Sequence, residues 1–99
     1  MTQYPSPDEI AKHLFSELRD EEKEVIAKVE SAAGMVRFHS TVGMFIRNRY
    51  RFWDADNPHT NASAAPNEKG IIDDPKFPDQ VSHAILESVW EMVQSERVL

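Results

Sequence analysis

Four side chains in this sequence are of types that can share a proton or hold an anion: His39, Arg47, Asn48 and Asp79. A histidine moves a proton near neutral pH, an arginine grips an anion through two parallel N–H groups, and a carboxylate orients an imidazole. Together His39, Arg47 and Asp79 would furnish a hydrolytic or phosphate-handling centre. The same three residues also suit a buried polar tie, because a single histidine on an apolar helix face is ordinarily a hydrogen-bonded core residue. The tie is the preferred reading. It predicts that Arg47 and Asp79 meet as a structural bridge rather than as a catalytic dyad.

Arg47 lies within the stretch MVRFHSTVGMFIRNRYRFW, residues 35–53, which contains four arginines and no acid. All seventeen Asp and Glu lie outside it, in a chain of net charge -6. Such sorting of charge predicts salt bridges from Arg37, Arg47 and Arg51 to the protein's own acidic helices, each weak if exposed. Contact with an acidic protein or a phosphate is the second reading, and a merely solvated face the third. Arg37, Arg47, Asn48, Arg51 and Trp53 are the candidate binding residues. Aromatics alternate with arginines over residues 49–53, as in single-strand nucleic-acid binders, but helical spacing predicts the same residues in a core. An acidic balance also disfavours broad phosphate neutralisation.

Other chemistry is poorly supplied. The chain has no cysteine, which removes disulfides, thiolate nucleophiles and thiolate-ligated zinc, and is the ordinary state of a cytosolic protein. His13, His39, His59 and His83 are scattered, with no pair spaced to converge on a metal. Asp54, Asp56 and Asn57 open like a calcium loop, but its glycine and closing glutamate are absent. Gly34, Gly43 and Gly70 stand alone, so no glycine loop cradles a phosphate. No metal and no cofactor are expected. The first residues carry neither a basic region nor an apolar run, and no run of eighteen apolar residues occurs, so a cytoplasmic protein without a membrane span is expected.

The elements that must position these side chains are helices. Ser6-Pro7-Asp8-Glu9 combines a cap, a proline at the first helical position and the glutamate of a capping box, predicting a helix from about Pro7 to Leu18. Its apolar stripe is Ile10, Leu14 and Leu18. Asp20 is expected to cap a second helix with Val25, Ile26, Val29, Ala32 and Ala33 inward, ended by Gly34. A third helix from about Met35 towards Asn48 gathers Met35, Phe38, Val42, Phe45, Ile46 and Tyr50 at 100° steps, and is expected to be the central element. Arg49 falls in that arc if the helix continues, so either the helix ends near Asn48 or Arg49 has a buried partner, whereas Arg37, Arg47 and Arg51 fall opposite. Gly43 reads as a packing notch. Residues 54–69 lack apolar periodicity and read as a long exposed loop between Trp53 and Ile71. A last helix from about Pro78 carries Val81, Ala84, Ile85, Val89, Met92 and Val93 on one face.

Phe38-His39-Ser40-Thr41-Val42-Gly43-Met44-Phe45-Ile46-Arg47-Asn48, followed by Trp53, resembles the centre of an uncharacterised family of small bacterial proteins known only as a domain of unknown function. That pattern is a His, a Gly four residues later, an Ile-Arg-Asn triplet and then a Trp. A second block, in which a His-Pro-Asp-Asp turn opens the last helix, is similar to Phe77-Pro78-Asp79-Gln80, continued by Val81-Ser82 and by Ile85 to Trp90. The resemblance covers about residues 36–93. It departs at Phe77 and Gln80, where the family shows His and Asp, and in residues 49–52. A reaction that needed those two family residues would have lost them here, while His39, Arg47, Asn48, Trp53 and Asp79 are kept. The resemblance implies a fold and a cellular class and names no reaction.

The whole reads as one all-α domain over residues 1–99: a compact bundle of about four helices with a long loop between the third and fourth. The function expected is a non-enzymatic protein-binding module, a small inhibitor or immunity-type protein of bacterial or phage origin, as monomer or homodimer. The alternatives are the hydrolytic or phosphate-handling enzyme using His39, Arg47 and Asp79, and a single-stranded nucleic-acid binder using residues 47–53.

Overall fold

The computed structural model describes residues 4–72 and 74–98. Four α-helices follow in order: α1 (Pro7–Glu17), α2 (Asp20–Ala27), α3 (Met44–Arg49) and α4 (Pro78–Val98). Between α2 and α3 run a 3₁₀ segment, Ala32–Phe38, and a π turn, His39–Gly43. No strand occurs among the described residues. The fold is all-α, with the long connection between α3 and α4 that the sequence predicts.

Helix α1 starts as its sequence dictates. The Glu9 N–H donates to Ser6 Oγ and the Ser6 N–H donates to Glu9 Oε1, each at 3.2 Å, closing a capping box ahead of Pro7. Ile10 and Ala11 are buried, and Leu14, Phe15 and Leu18 pack against the core. In α2 the cap differs from expectation. Asp20 is itself helical, and Glu22 reaches back to accept from the Arg19 N–H at 2.9 Å.

Helix α2 also stops at Ala27, well before Gly34. The Val29 N–H turns to the Ile26 carbonyl, and Ser31 then caps the 3₁₀ segment by accepting from the Gly34 N–H at 3.3 Å. Ala32 and Ala33 therefore belong to the next element. Val25 is exposed, whereas Ile26 and Val29 are buried.

The third helix is the main departure. It is regular α only from Met44, after seven residues of the tighter 3₁₀ winding and one wide π turn. Placing residues at 100° steps presumes constant winding, and two changes of pitch break that phase. Met35 and Ile46 are buried as expected, but Val42 is 40 % and Phe45 is 48 % exposed. Arg47, expected outside, is 6 % exposed, while the helix ends at Arg49, which is exposed and so needs no buried partner.

The central element is α4, not the third helix. Its 21 residues touch α1, α2, α3, the 3₁₀ segment and the π turn. Val81, Ile85, Leu86, Val89 and Val93 are buried along it, while Ala84 is exposed. Trp90 Nε1 donates to the Val29 carbonyl at 2.9 Å, and Gln94 Nε2 to the Ala27 carbonyl at 3.2 Å. These bonds satisfy carbonyls where α2 has ended. The molecule measures 43 × 38 × 20 Å, the thin dimension matching two helix layers at about 10 Å each.

Helix α3 ends in a Schellman turn: the Phe52 N–H donates to the Arg47 carbonyl at 3.0 Å, with Arg51 at φ 56° in the left-handed position that glycine usually fills. Asn57 Nδ2 then donates to the carbonyls of Tyr50 and Arg51, at 3.4 and 3.2 Å. Thr60 Oγ1 donates to the Phe52 carbonyl at 2.8 Å. Phe52, Asn57 and Thr60 are buried, so the first part of the connection is fastened to the core through polar bonds that apolar periodicity does not reveal. Farther along, residues 65–71 are exposed. Trp53 and Ile71, expected as anchored ends of the loop, are both exposed, because Phe52 takes the core position.

Candidate functional site

Two places on the molecule combine geometry with chemistry. The first is the polar cluster where the π turn meets the start of α4. Arg47 Nη1 donates to Ser82 Oγ at 2.9 Å, and Nη2 donates to the His39 carbonyl at 3.1 Å. Arg47 Nε lies 3.5 Å from Asp79 Oδ1, and His39 Nε2 lies 3.8 Å from Asp79 Oδ2. Ser82, fully buried, donates its own proton to the Asp79 carbonyl at 3.0 Å.

Gly43 makes this approach feasible. A Cβ there would stand 3.0 Å from Arg47 Nη1, 3.4 Å from the Phe38 carbonyl and 3.8 Å from Ser82 Oγ. The notch accepts the guanidinium as well as the neighbouring helix. The widened π turn serves the same contact, since a side chain that binds a carbonyl within the helix opens its ladder.

His39, Arg47 and Asp79 thus come together from distant parts of the chain. The three groups of the Arg47 fork point at Ser82, His39 and Asp79 of the protein itself. That is the bonding of a tie between the π turn and α4. His39 and Asp79 retain side-chain exposures of 38 % and 44 %, so a solvated imidazole and carboxylate face outward from it.

The other candidate binding residues do not join this cluster. Arg37 is exposed and its Nε donates to the Gly34 carbonyl at 3.3 Å. Asn48 and Arg51 are exposed, and Trp53 stands edge-on to Phe77 with ring centroids 5.7 Å apart. Arg49 stacks over the rings of Phe45 and Tyr50, 5.7 Å from each. The expected salt bridges form for Arg47 alone among the arginines of residues 35–53, counting ion pairs within the described residues. Nor does the strip offer a continuous stacking surface, since Phe52 is buried and Arg47 turns inward.

The second place is not legible in the sequence: an apolar groove of about 610 Å³ between α1, α2 and the π turn. Leu14 of α1, Leu18 just after it, Val25 of α2, and Phe38, Val42 and Phe45 form its walls, with Met35, Leu86 and Val89 at its base. Glu17 and Glu22 are the charged residues lining it. Helical spacing alone assigns Val25, Val42 and Phe45 to a core. The signal that could expose them is the excess of large apolar residues over what one short helix can bury.

Titration of nearby groups follows from local bonds. The Arg19 backbone N–H holds the Glu22 carboxyl below its ordinary value, so it stays ionised at the groove's edge. Burial raises the Tyr50 hydroxyl above its ordinary value, with Arg49 opposing and Glu17 adding to the rise. No helix among the described residues is long and apolar enough to cross a membrane.

No curated protein and no solved structure matches the chain significantly. A family model described as a domain of unknown function, DUF6794, matches residues 8–92, which takes in most of α1, the Arg47 cluster, every wall of the groove and most of α4. The chain therefore belongs to the DUF6794 family.

Proposed function

We propose that this protein is a non-enzymatic protein-binding module that docks its partner in the apolar groove, working in the cytoplasm as a small inhibitor or immunity-type protein of bacterial or phage origin. The observation that carries this reading is the exposure of Val25, Val42 and Phe45 on one continuous groove. Large apolar side chains gathered on a concave face, rather than scattered singly, mark an interaction site. A groove between helices is also the shape that accepts a partner's helix.

The cluster at Arg47 supports the reading indirectly. Its guanidinium is engaged by Ser82 and the His39 carbonyl, leaving no open cationic fork for a substrate phosphate. It fixes the π turn, and with it Val42 and the approach to Phe45.

The test is affinity capture from the native host with wild type and with Val42→Ser/Phe45→Ser. A stoichiometric partner held by wild type and lost by the folded variant is the expected result. Equal capture by both chains overturns the groove as the docking face. If instead a substrate screen finds turnover that His39→Ala abolishes, the hydrolytic alternative replaces the binding module.

A further inference from the structure

The groove has a sign as well as a shape. Its charged lining residues, Glu17 and Glu22, are both acidic and lie at the end where α1 gives way to α2. Glu21 stands one helical turn before Val25 and so adds a carboxylate on the same side of α2. Arg19 lies 3.5 Å from Glu21 and 3.4 Å from Glu22, offsetting one charge of the three, and His13 pairs with Glu17, offsetting a second only where its imidazole is protonated. At the other wall Arg49 stacks over the Phe45 and Tyr50 rings and keeps its positive charge, so the acidic side of the groove is the one formed by α1 and α2. An apolar floor with a net acidic rim on one side selects among occupants.

An anionic bilayer would meet the acidic rim unfavourably. A second copy related by a two-fold axis would bring its own acidic rim to the same interface. What fits is a segment that is apolar on one face and cationic beside it.

We propose, building on the docking function above, that the groove's occupant is a basic amphipathic helix of a partner protein. Its apolar residues recur at i, i+3 or i+4 and i+7 to fill the space between Leu14, Leu18, Val25, Val42 and Phe45, and its Lys or Arg residues flank that stripe and face Glu17, Glu21 and Glu22. Charge complementarity of this kind sets the encounter rate and the choice of partner more than the final affinity. Desolvation of Phe45 and Val42 supplies the holding contact.

The experiment uses the full chain and two synthetic helices of about 16 residues, long enough to hold helical structure. Both carry the same leucine stripe, one with lysine and one with glutamate at the flanking positions. Fluorescence anisotropy at low and high salt is expected to show the lysine peptide binding at least about tenfold more tightly, with the advantage shrinking as salt screens the rim. Glu17→Gln/Glu22→Gln is expected to remove most of that preference while keeping α2 intact, since a glutamine amide oxygen can also accept the Arg19 N–H. Val42→Ser/Phe45→Ser is expected to weaken both peptides.

Equal binding of the two peptides overturns the basic partner while leaving the groove as a docking face. Loss of binding by neither groove variant places the peptide elsewhere and overturns the proposal. A concentration-dependent dimer abolished by Phe45→Ser assigns the groove to a second copy, and binding to anionic vesicles abolished by it assigns the groove to a membrane surface. Either result sinks the basic helix as occupant.

Discussion

Arg47 shows how one side chain can be decisive for a small fold. Its guanidinium is buried and shared among Ser82, the His39 carbonyl and Asp79. Hydrogen bonds of a charged donor contribute about 1.5–3 kcal/mol each. Arg47→Ala is therefore expected to cost at least about 3 kcal/mol, read by urea unfolding. Lysine offers a single ammonium in place of the planar fork that bonds Ser82 through Nη1 and the His39 carbonyl through Nη2, so Arg47→Lys should recover little of it. A double-mutant cycle with Asp79→Ala should give losses that are not additive; strict additivity would mean that the 3.5 Å contact carries no energy. Phe45 and Phe52 provide a second contrast. Phe52, 1 % exposed, should cost about 3–5 kcal/mol on truncation to alanine. Phe45, half exposed on the groove wall, should cost less than about 1.5 kcal/mol, because it leaves no enclosed cavity. A larger loss at Phe45 than at Phe52 would reverse their assignment.

At the scale of elements, the turn after α3 and the connection to α4 are where sequence and conformation are least matched. Arg51 holds a left-handed conformation at the Schellman turn, where any residue with a Cβ is strained. Arg51→Gly is expected to stabilise the fold by up to about 1 kcal/mol, glycine relieving the strain at some cost in unfolded-chain entropy. A fall in thermal midpoint would show that the Arg51 side chain contributes a contact of its own. The connection should divide into two parts under limited proteolysis. Residues 57–61 are bonded to Tyr50, Arg51, Phe52 and Lys76, whereas 65–71 are exposed. First cleavage is expected within 65–71. Mass spectrometry that places it at 57–61 would show that the Asn57 and Thr60 bonds do not hold the chain.

For the molecule as a whole, folding stability should fall at both ends of the pH scale. Glu9, Glu22 and Asp74 are held below their ordinary values, first by backbone N–H bonds from Ser6, Arg19 and Lys76 respectively. A lowered carboxyl value means the folded state binds fewer protons than the unfolded one, so these contributions are complete above the ordinary 4.5 and 3.8. They are lost as pH falls through the lowered values. Tyr50, raised by burial, works in the opposite sense: its contribution is present below the ordinary 10.0 and declines as pH rises past it. Urea midpoints should accordingly be flat around neutrality and drop below about pH 4.5 and above about pH 10. Glu9→Gln/Glu22→Gln should flatten the acid limb, since glutamine bonds the same N–H groups without titrating. An unaltered acid limb in that variant would assign acid sensitivity to other carboxylates.

The sequence by itself determined what depends on neighbours along the chain. The start of α1 follows from Ser6, Pro7 and Glu9 within one turn, the start of α4 from Pro78, and the all-α class from apolar spacing throughout. A resemblance to an uncharacterised family was legible for a related reason, since it is read from residues in order, and the family model over residues 8–92 shows a domain of unknown function. Only the tertiary structure decided which of two faces of the third helix is buried. The change from 3₁₀ to π to α winding turns Arg47 inward and Val42 and Phe45 outward. The buried Arg47 meets Ser82 and Asp79, far along the chain, and no local periodicity encodes those contacts. The groove is likewise a property of several elements meeting, and so it exists only once α1, α2, the 3₁₀ segment, the π turn and α3 have packed on α4.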